Sequence, residues 1–304
     1  MANPMYGQEK FDNSLSGKGK LVKSGGVPVQ DSDGIAPVGG LCIPPFTPEG
    51  HSNAGSVASG SDGINLADAD PYTESASQLF PLGTTLNWGD RTFKYVQVDG
   101  AITAGLCVQQ PVIVGNHTQM ATTDAYAITT TDTSVISIET AGDTDLTANQ
   151  YQEGYLYVND GTGQGQSWRV KSHPAHDHSS DPSCEITVYG KVSTALVASA
   201  TSEVSLMENP YKDVIVAPVA ETGAVVGVTN IDMTDDYYGW VQTKGPKAVL
   251  AASTLVLGHN AVRNDTTTAG AVMADNGDDL VQEIGTVMAS VVVNSEYCMI
   301  NLNI

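Results

Sequence analysis

Basic residues are scarce in this chain. Its 304 residues include 13 Lys and Arg against 34 Asp and Glu, a formal charge of −21 with a sequence pI near 4.3. Such a surface repels phosphate backbones and anionic lipid, which argues against nucleic-acid and membrane-surface roles. Cysteine is equally sparse. Cys42, Cys107, Cys184 and Cys298 stand 65, 77 and 114 residues apart with no CxxC spacing, so they read as reduced thiols packed as small hydrophobes. No apolar run reaches the length of a membrane span, and Met1 to Leu15 lacks the basic-then-apolar order of a secretory leader, so synthesis in a cytoplasm is expected. Helical periodicity is missing too: the nearest approach, Leu196 to Met207, is weakened by Thr201, Ser202 and two valines. No repeat of fixed period is visible, which gives solenoid and propeller readings little support.

What is present is a chain long enough for roughly two domains or one large β domain, with 41% hydrophobic residues to fill a core. Residues 1–75 differ from the rest. Lys10, Lys18, Lys20 and Lys23 form a basic cluster against Glu9 and Asp12, and no further Lys or Arg appears before Arg91. Between them lie Gly25-Gly26, Gly39-Gly40, Pro44-Pro45, Pro48 and the small-residue stretch Ser52 to Gly63. This composition cannot propagate a helix and offers too little apolar material for a core, so an extended, irregular N-terminal arm is expected. It reads either as a floppy terminus or as a strap that orders only against a neighbour.

Residues 76–304 have the texture of short strands. Thr92 to Val98 is β-branched and aromatic and closes on the turn pair Asp99-Gly100. Tyr155 to Val158, a glycine-rich stretch through Gly165, and Trp168 to Lys171 predict a hairpin in which Trp168 and Val170 face in while Arg169 and Lys171 face out. Ile186 and Val188 alternate with Thr187 and Tyr189, and Val135 to Ile138 is strand material with threonine-rich flanks. Gly239 to Lys244 reads as a strand that ends at Gly245-Pro246, with Ala248 to Leu250 and Leu255 to Leu257 following. At the C-terminus Cys298, Ile300, Leu302 and Ile304 take one face while Tyr297, Met299, Asn301 and Asn303 take the other. The class is all-β, a β-sandwich or barrel-like domain or domains, with a subdomain at about residues 149–206.

Catalytic signatures are not found. There is no G-x-S-x-G elbow, P-loop, H-E-x-x-H or EF-hand loop, and Gly161, Gly163 and Gly165 have the wrong spacing for a dinucleotide fingerprint. One cluster could bind metal: His173, His176 and His178, with Asp181 and Cys184 close behind. The competing reading is a structural loop, because Pro174 and Pro182 mark an exposed connection. The acid pairs Asp68/Asp70, Asp143/Asp145, Asp235-Asp236 and Asp278-Asp279 fall beside turn residues and read as solvated turns, with weak Ca²⁺ sites as the alternative. No enzyme activity, cofactor or metal is expected from these residues.

Three blocks carry a resemblance: Phe80 to Val96, Gly154 to Pro174, and Asp236 to Pro246. In patches from Leu79 to Ile304 the chain resembles structural proteins of tailed-bacteriophage heads. The resemblance implies a capsid decoration, or cement, protein: a non-enzymatic β protein, commonly trimeric, sitting on the outer capsid surface and clamping adjacent major capsid subunits. Under that expectation the partners are the major capsid protein and other copies of the chain. Lys10, Lys18, Lys20 and Lys23 of the arm are candidate capsid contacts, as is the aromatic group Tyr237, Tyr238 and Trp240, for which core packing is the alternative. Two rival classes stay open, a head fibre or glycan-binding protein and a metal-dependent hydrolase built on the histidine loop.

Overall fold

The computed structural model describes residues 23–24, 27–28, 69–122, 133–140, 144–181, 183–197, 202–275, 277, 281–289 and 295–304. Two compact units divide the chain, Met1–Gly55 and Ser56–Ile304, a boundary upstream of residue 75. In the first, β1 (Lys23–Ser24) and β2 (Val27–Pro28) pair antiparallel, Lys23 opposite Pro28 and Ser24 opposite Val27.

The second unit is all-β. Its strands are β3 (Thr85–Trp88), β4 (Arg91–Gln97), β5 (Cys107–Gln109), β6 (Met120–Ala121), β7 (Val135–Ile138), β8 (Tyr155–Gly161), β9 (Ser167–Ser172), β10 (Cys184–Val188) and β11 (Ser202–Met207). The series continues with β12 (Ile215–Val216), β13 (Val225–Thr229), β14 (Tyr238–Leu250), β15 (Asn260–Arg263), β16 (Val272–Ala274), β17 (Glu283–Val287) and β18 (Tyr297–Asn303). A single 3₁₀ turn, Gly115–His117, is the helical element of the described residues.

Two curled antiparallel sheets result. The smaller has six strands in the order β6-β11-β8-β9-β10-β7. Its ends meet, because Thr122 bridges Ile138 and the Glu139 N–H donates to the Ala121 carbonyl at 3.2 Å, so the edge strands satisfy one another. The alternation read from the sequence drives this closure. Leu156 and Val158, Trp168 and Val170, Cys184, Ile186 and Val188, and Val204 and Leu206 all turn inward into one core. Each fully buried aliphatic side chain contributes about 1.5–3 kcal/mol, which is what holds strands this short together. The small sheet begins at Met120, so the threonine-rich stretch ahead of residue 149 supplies two of its strands.

The larger sheet has ten strands, β12-β5-β13-β14-β18-β17-β15-β16, with β4 on β14 and β3 on β4. A parallel bridge from Ala251 to Val272 curls it back toward the end of β14. The C-terminal strand β18 shows the expected period of two, Cys298, Ile300 and Leu302 buried and Tyr297, Met299, Asn301 and Asn303 exposed. β14 departs from expectation. It does not end at Gly245-Pro246 but runs 13 residues through them. Gln242 is the reason: its buried side-chain amide donates to the carbonyls of Lys244 and Pro246 at 2.9 and 3.0 Å, stitching the irregularity. Leu255 to Leu257 is not a strand; Leu255 is buried and Val256 and Leu257 are exposed.

Candidate functional site

The histidine loop leads not to an open site but into the core of the small sheet. His173 is buried between two backbone partners. Its Nε2 accepts from the Tyr151 N–H at 3.0 Å, and its Nδ1 lies 2.8 Å from the Pro174 carbonyl. Both contacts are made at once by the neutral imidazole carrying its proton on Nδ1. Burial lowers the His173 pKa from its ordinary 6.5, with the Pro174 carbonyl pulling the other way and the Lys212 cation adding to the decrease. Tyr151 in turn shares a 2.6 Å hydrogen bond with His117 Nδ1, their rings edge to face at 5.5 Å. His117 is also lowered, first by burial, and its proximity to His173 and His176 adds to the effect.

His176 is buried as well, its Nδ1 3.9 Å from Asp181 Oδ2. His178 takes a different direction, its Nδ1 3.0 Å from Thr140 Oγ1. The cysteine is spent too, the Cys184 thiol 4.0 Å from the Pro174 carbonyl and pushed up to about 11 by burial. Among the described residues no three His, Cys, Asp or Glu side chains converge on a common point where an ion could sit. The loop's acids cap turns: Asp177 Oδ1 accepts from the Ser179 amide and hydroxyl, and Asp145 Oδ1 from the His178 N–H. Asp235 and Asp70 do the same for Gly100 and Tyr72, as solvated turns require.

The aromatic group splits. Trp240 is 3% exposed and packs against Tyr95 at 5.0 Å and Phe80 at 5.5 Å, so as a capsid contact it is withdrawn in favour of core packing. Tyr238, stacked on Tyr95 at 6.2 Å, and Tyr237 are half-buried and keep part of their rings in solvent. Lys10, Lys18 and Lys20 lie outside the described residues, as does Cys42, and Lys23 is placed only by its backbone in β1.

No family model, curated protein or solved structure matches this chain. Its own geometry must therefore say what the surface can do. Cys107, Cys184 and Cys298 are free and buried, and burial pushes the Cys107 thiol up to about 12, far from a reactive thiolate. No helix of the described residues is long and apolar enough to cross a membrane. The cation the sequence hid is Arg263. It is 1% exposed and donates to the carbonyls of Gly223 at 3.1 Å and Ala220 at 2.8 Å and to that of Pro218, clamping the connection ahead of β13. No sequence pattern separates such an arginine from a surface one, because its acceptors are backbone atoms.

Proposed function

We propose that this chain is a virion structural protein that decorates the outer surface of a tailed-phage capsid and clamps neighbouring major capsid subunits, with copies associating as trimers. One observation carries the reading. The three sequence blocks that resemble phage head proteins are remote in the chain but meet in space. β4 of the first block pairs along β14 of the third, Trp240 opposite Tyr95 and Gly239 opposite Val96. Glu153, one residue ahead of the second block, ties that block to the first: its carboxylate accepts from the Leu82 N–H at 3.1 Å and from Arg169 at 3.2 Å. The likeness therefore follows a mechanical frame and not a cleft. A fastener under outward pressure uses such a frame, since adhesion spread over several subunits needs area and stiffness and no turnover.

The test is a cryo-microscopy map of virions whose genome encodes the chain, with mass spectrometry of the purified particles. Density on the outer capsid surface, bridging adjacent major capsid subunits, is the expected result. Virions lacking the chain overturn the proposal, and so does density that projects from the shell without touching two capsid subunits.

A further inference from the structure

Gln110 to Val114 runs between β5 of the large sheet and the 3₁₀ turn ahead of β6 of the small one, a connection with no regular structure of its own. Its ends are fixed. The Gln110 N–H donates to the Ala224 carbonyl at 3.0 Å, and the Val114 carbonyl accepts from the His117 N–H at 3.0 Å. Its middle is open: Val112 and Ile113 are 52% and 51% exposed, and among the described residues their N–H and carbonyl groups have no partner. Adjacent apolar side chains on an unpaired backbone are what β proteins ordinarily keep covered. Beside them lies a shallow groove, lined by the buried Tyr151 and Leu206 and by Met207 and Glu208. Tyr151 is held in place by its hydrogen bond to His117.

Glu208 gives the groove its charge. Its half-buried carboxylate accepts from the Gln150 side-chain amide at 3.2 Å. Burial raises its pKa; the Gln150 bond and the Lys212 cation pull it back, while Asp213 and Asp99 add to the rise. Lys212 is already engaged, donating to the Gln150 carbonyl at 2.6 Å and lying 3.8 Å from Asp213. Three carboxylates therefore share one ammonium.

We propose that this groove binds an extended, basic segment of another protein, whose backbone pairs with Val112 and Ile113, whose apolar side chains cover theirs, and whose lysine or arginine reaches Glu208. Charge complementarity decides the occupant. An acidic segment or a phosphate backbone meets the three carboxylates and is repelled. A small organic cation satisfies Glu208 but leaves the backbone unpaired. Strand addition meets both needs, because main-chain hydrogen bonds supply affinity and alternate side chains supply specificity. The isolated chain is enough to show such binding, so this proposal and capsid attachment can fail separately.

Fluorescence anisotropy of the purified full-length chain, in about 150 mM salt, with a labelled hexapeptide that alternates valine and lysine reads the binding. A dissociation constant of roughly 10–100 μM is expected. A chain of −21 attracts any cation, so two peptides of the same charge serve as controls. One alternates glycine and lysine and lacks the apolar side chains; the other is N-methylated at each valine and lacks those amide donors. Each should bind at least about tenfold more weakly. Glu208→Gln should cost about fivefold, and Ile113→Lys, which places a cation in the groove, more than that. Glu185→Gln removes the same charge from β10 and should leave the affinity unchanged. Hydrogen exchange at Val112 and Ile113 should slow when the valine–lysine peptide is bound. No binding up to about 1 mM overturns the proposal. So do equal affinities for the three peptides, an affinity that neither Glu208→Gln nor Ile113→Lys lowers or that Glu185→Gln lowers equally, and protection that appears elsewhere but not at Val112 and Ile113.

Discussion

Arg263 shows how a single side chain can hold a connection that has no regular structure of its own. Its guanidinium, itself buried, donates to the carbonyls of Pro218, Ala220 and Gly223 and so pins that connection to the core. Arg263→Met keeps much of the volume and removes the donors, so a loss of about 3 kcal/mol in urea unfolding is expected; an unchanged midpoint would refute the clamp. The buried imidazoles act through pH. His117 and His173 both have pKa values lowered from 6.5 by burial, so the unfolded chain binds protons the folded chain refuses. The contribution of these two imidazoles is therefore complete above about pH 6.5 and is lost as the pH drops below it toward the folded-state values, while Glu208 and Asp213, whose carboxyl pKa values burial raises, act in the opposite sense at more acid pH. Thermal unfolding followed from pH 8 to pH 5 should show Tm decreasing on the acid side with uptake of up to about two protons. His173→Gln, which offers a donor and an acceptor but does not titrate, should lower Tm at pH 8 and flatten the acid limb by about one proton. An acid limb as steep as wild type would remove His173 from this account.

At the scale of elements, β14 is the axis of the large sheet, and its continuity rests on Gly245. That residue sits at φ +85, and a Cβ there would lie 2.3 Å from the Asp90 carbonyl oxygen. Gly245→Ala should therefore cost about 2 kcal/mol or more. Hydrogen exchange should rise along both β14 and its partner β18; a rise confined to the loop at Asp90 would show that the strand does not depend on the glycine. The same element marks the limit of what the sequence reveals. Where one face is buried and the other wet, the pattern is plain: β18, the β8–β9 hairpin and β10 are legible because Cys298, Ile300 and Leu302, or Trp168 and Val170, must all point one way. Gly245-Pro246 reads as a stop because the stitch from Gln242 is a tertiary fact invisible to local propensity. Leu255 to Leu257 looks like a strand because a short apolar run says nothing about where two exposed side chains will go. The histidines misled for a related reason. Spacing placed His173, His176 and His178 within chelating reach, but His173 turns to the Tyr151 backbone and His178 to Thr140, while His176 is buried with neither ring nitrogen hydrogen-bonded. His117 and Tyr151, which complete that buried group, lie too far upstream to be associated with it by spacing.

For the molecule as a whole, charge separates the two units. The unit Ser56–Ile304 carries 29 of the 34 acidic and 9 of the 13 basic residues, a formal −20, while the first 23 residues hold four lysines against Glu9 and Asp12. Several cations of the larger unit are unavailable to a partner. Arg263 is buried, Lys94 is half-buried with its ammonium on Thr85 at 2.7 Å, and burial beside Arg91 pushes Lys247 down to about 8. If the chain clamps a capsid, the lysine cluster at Lys10 to Lys23 is then its main electrostatic handle, while the β unit supplies stiffness. A chain beginning at Ser56 should fold to the same β unit, with a Tm within about 2 °C of the full-length protein, because the described core residues of both sheets lie downstream of it. Its occupancy on capsids should collapse. The full-length chain should in turn lose occupancy as salt rises through the range where the screening length falls from about 10 Å to about 3 Å, whereas the truncated chain has no such contact to lose. Equal occupancy of the two chains at low salt would strip the lysines of any clamping role and transfer attachment to the β unit, whose half-buried Tyr237 and Tyr238 would be the next residues to replace.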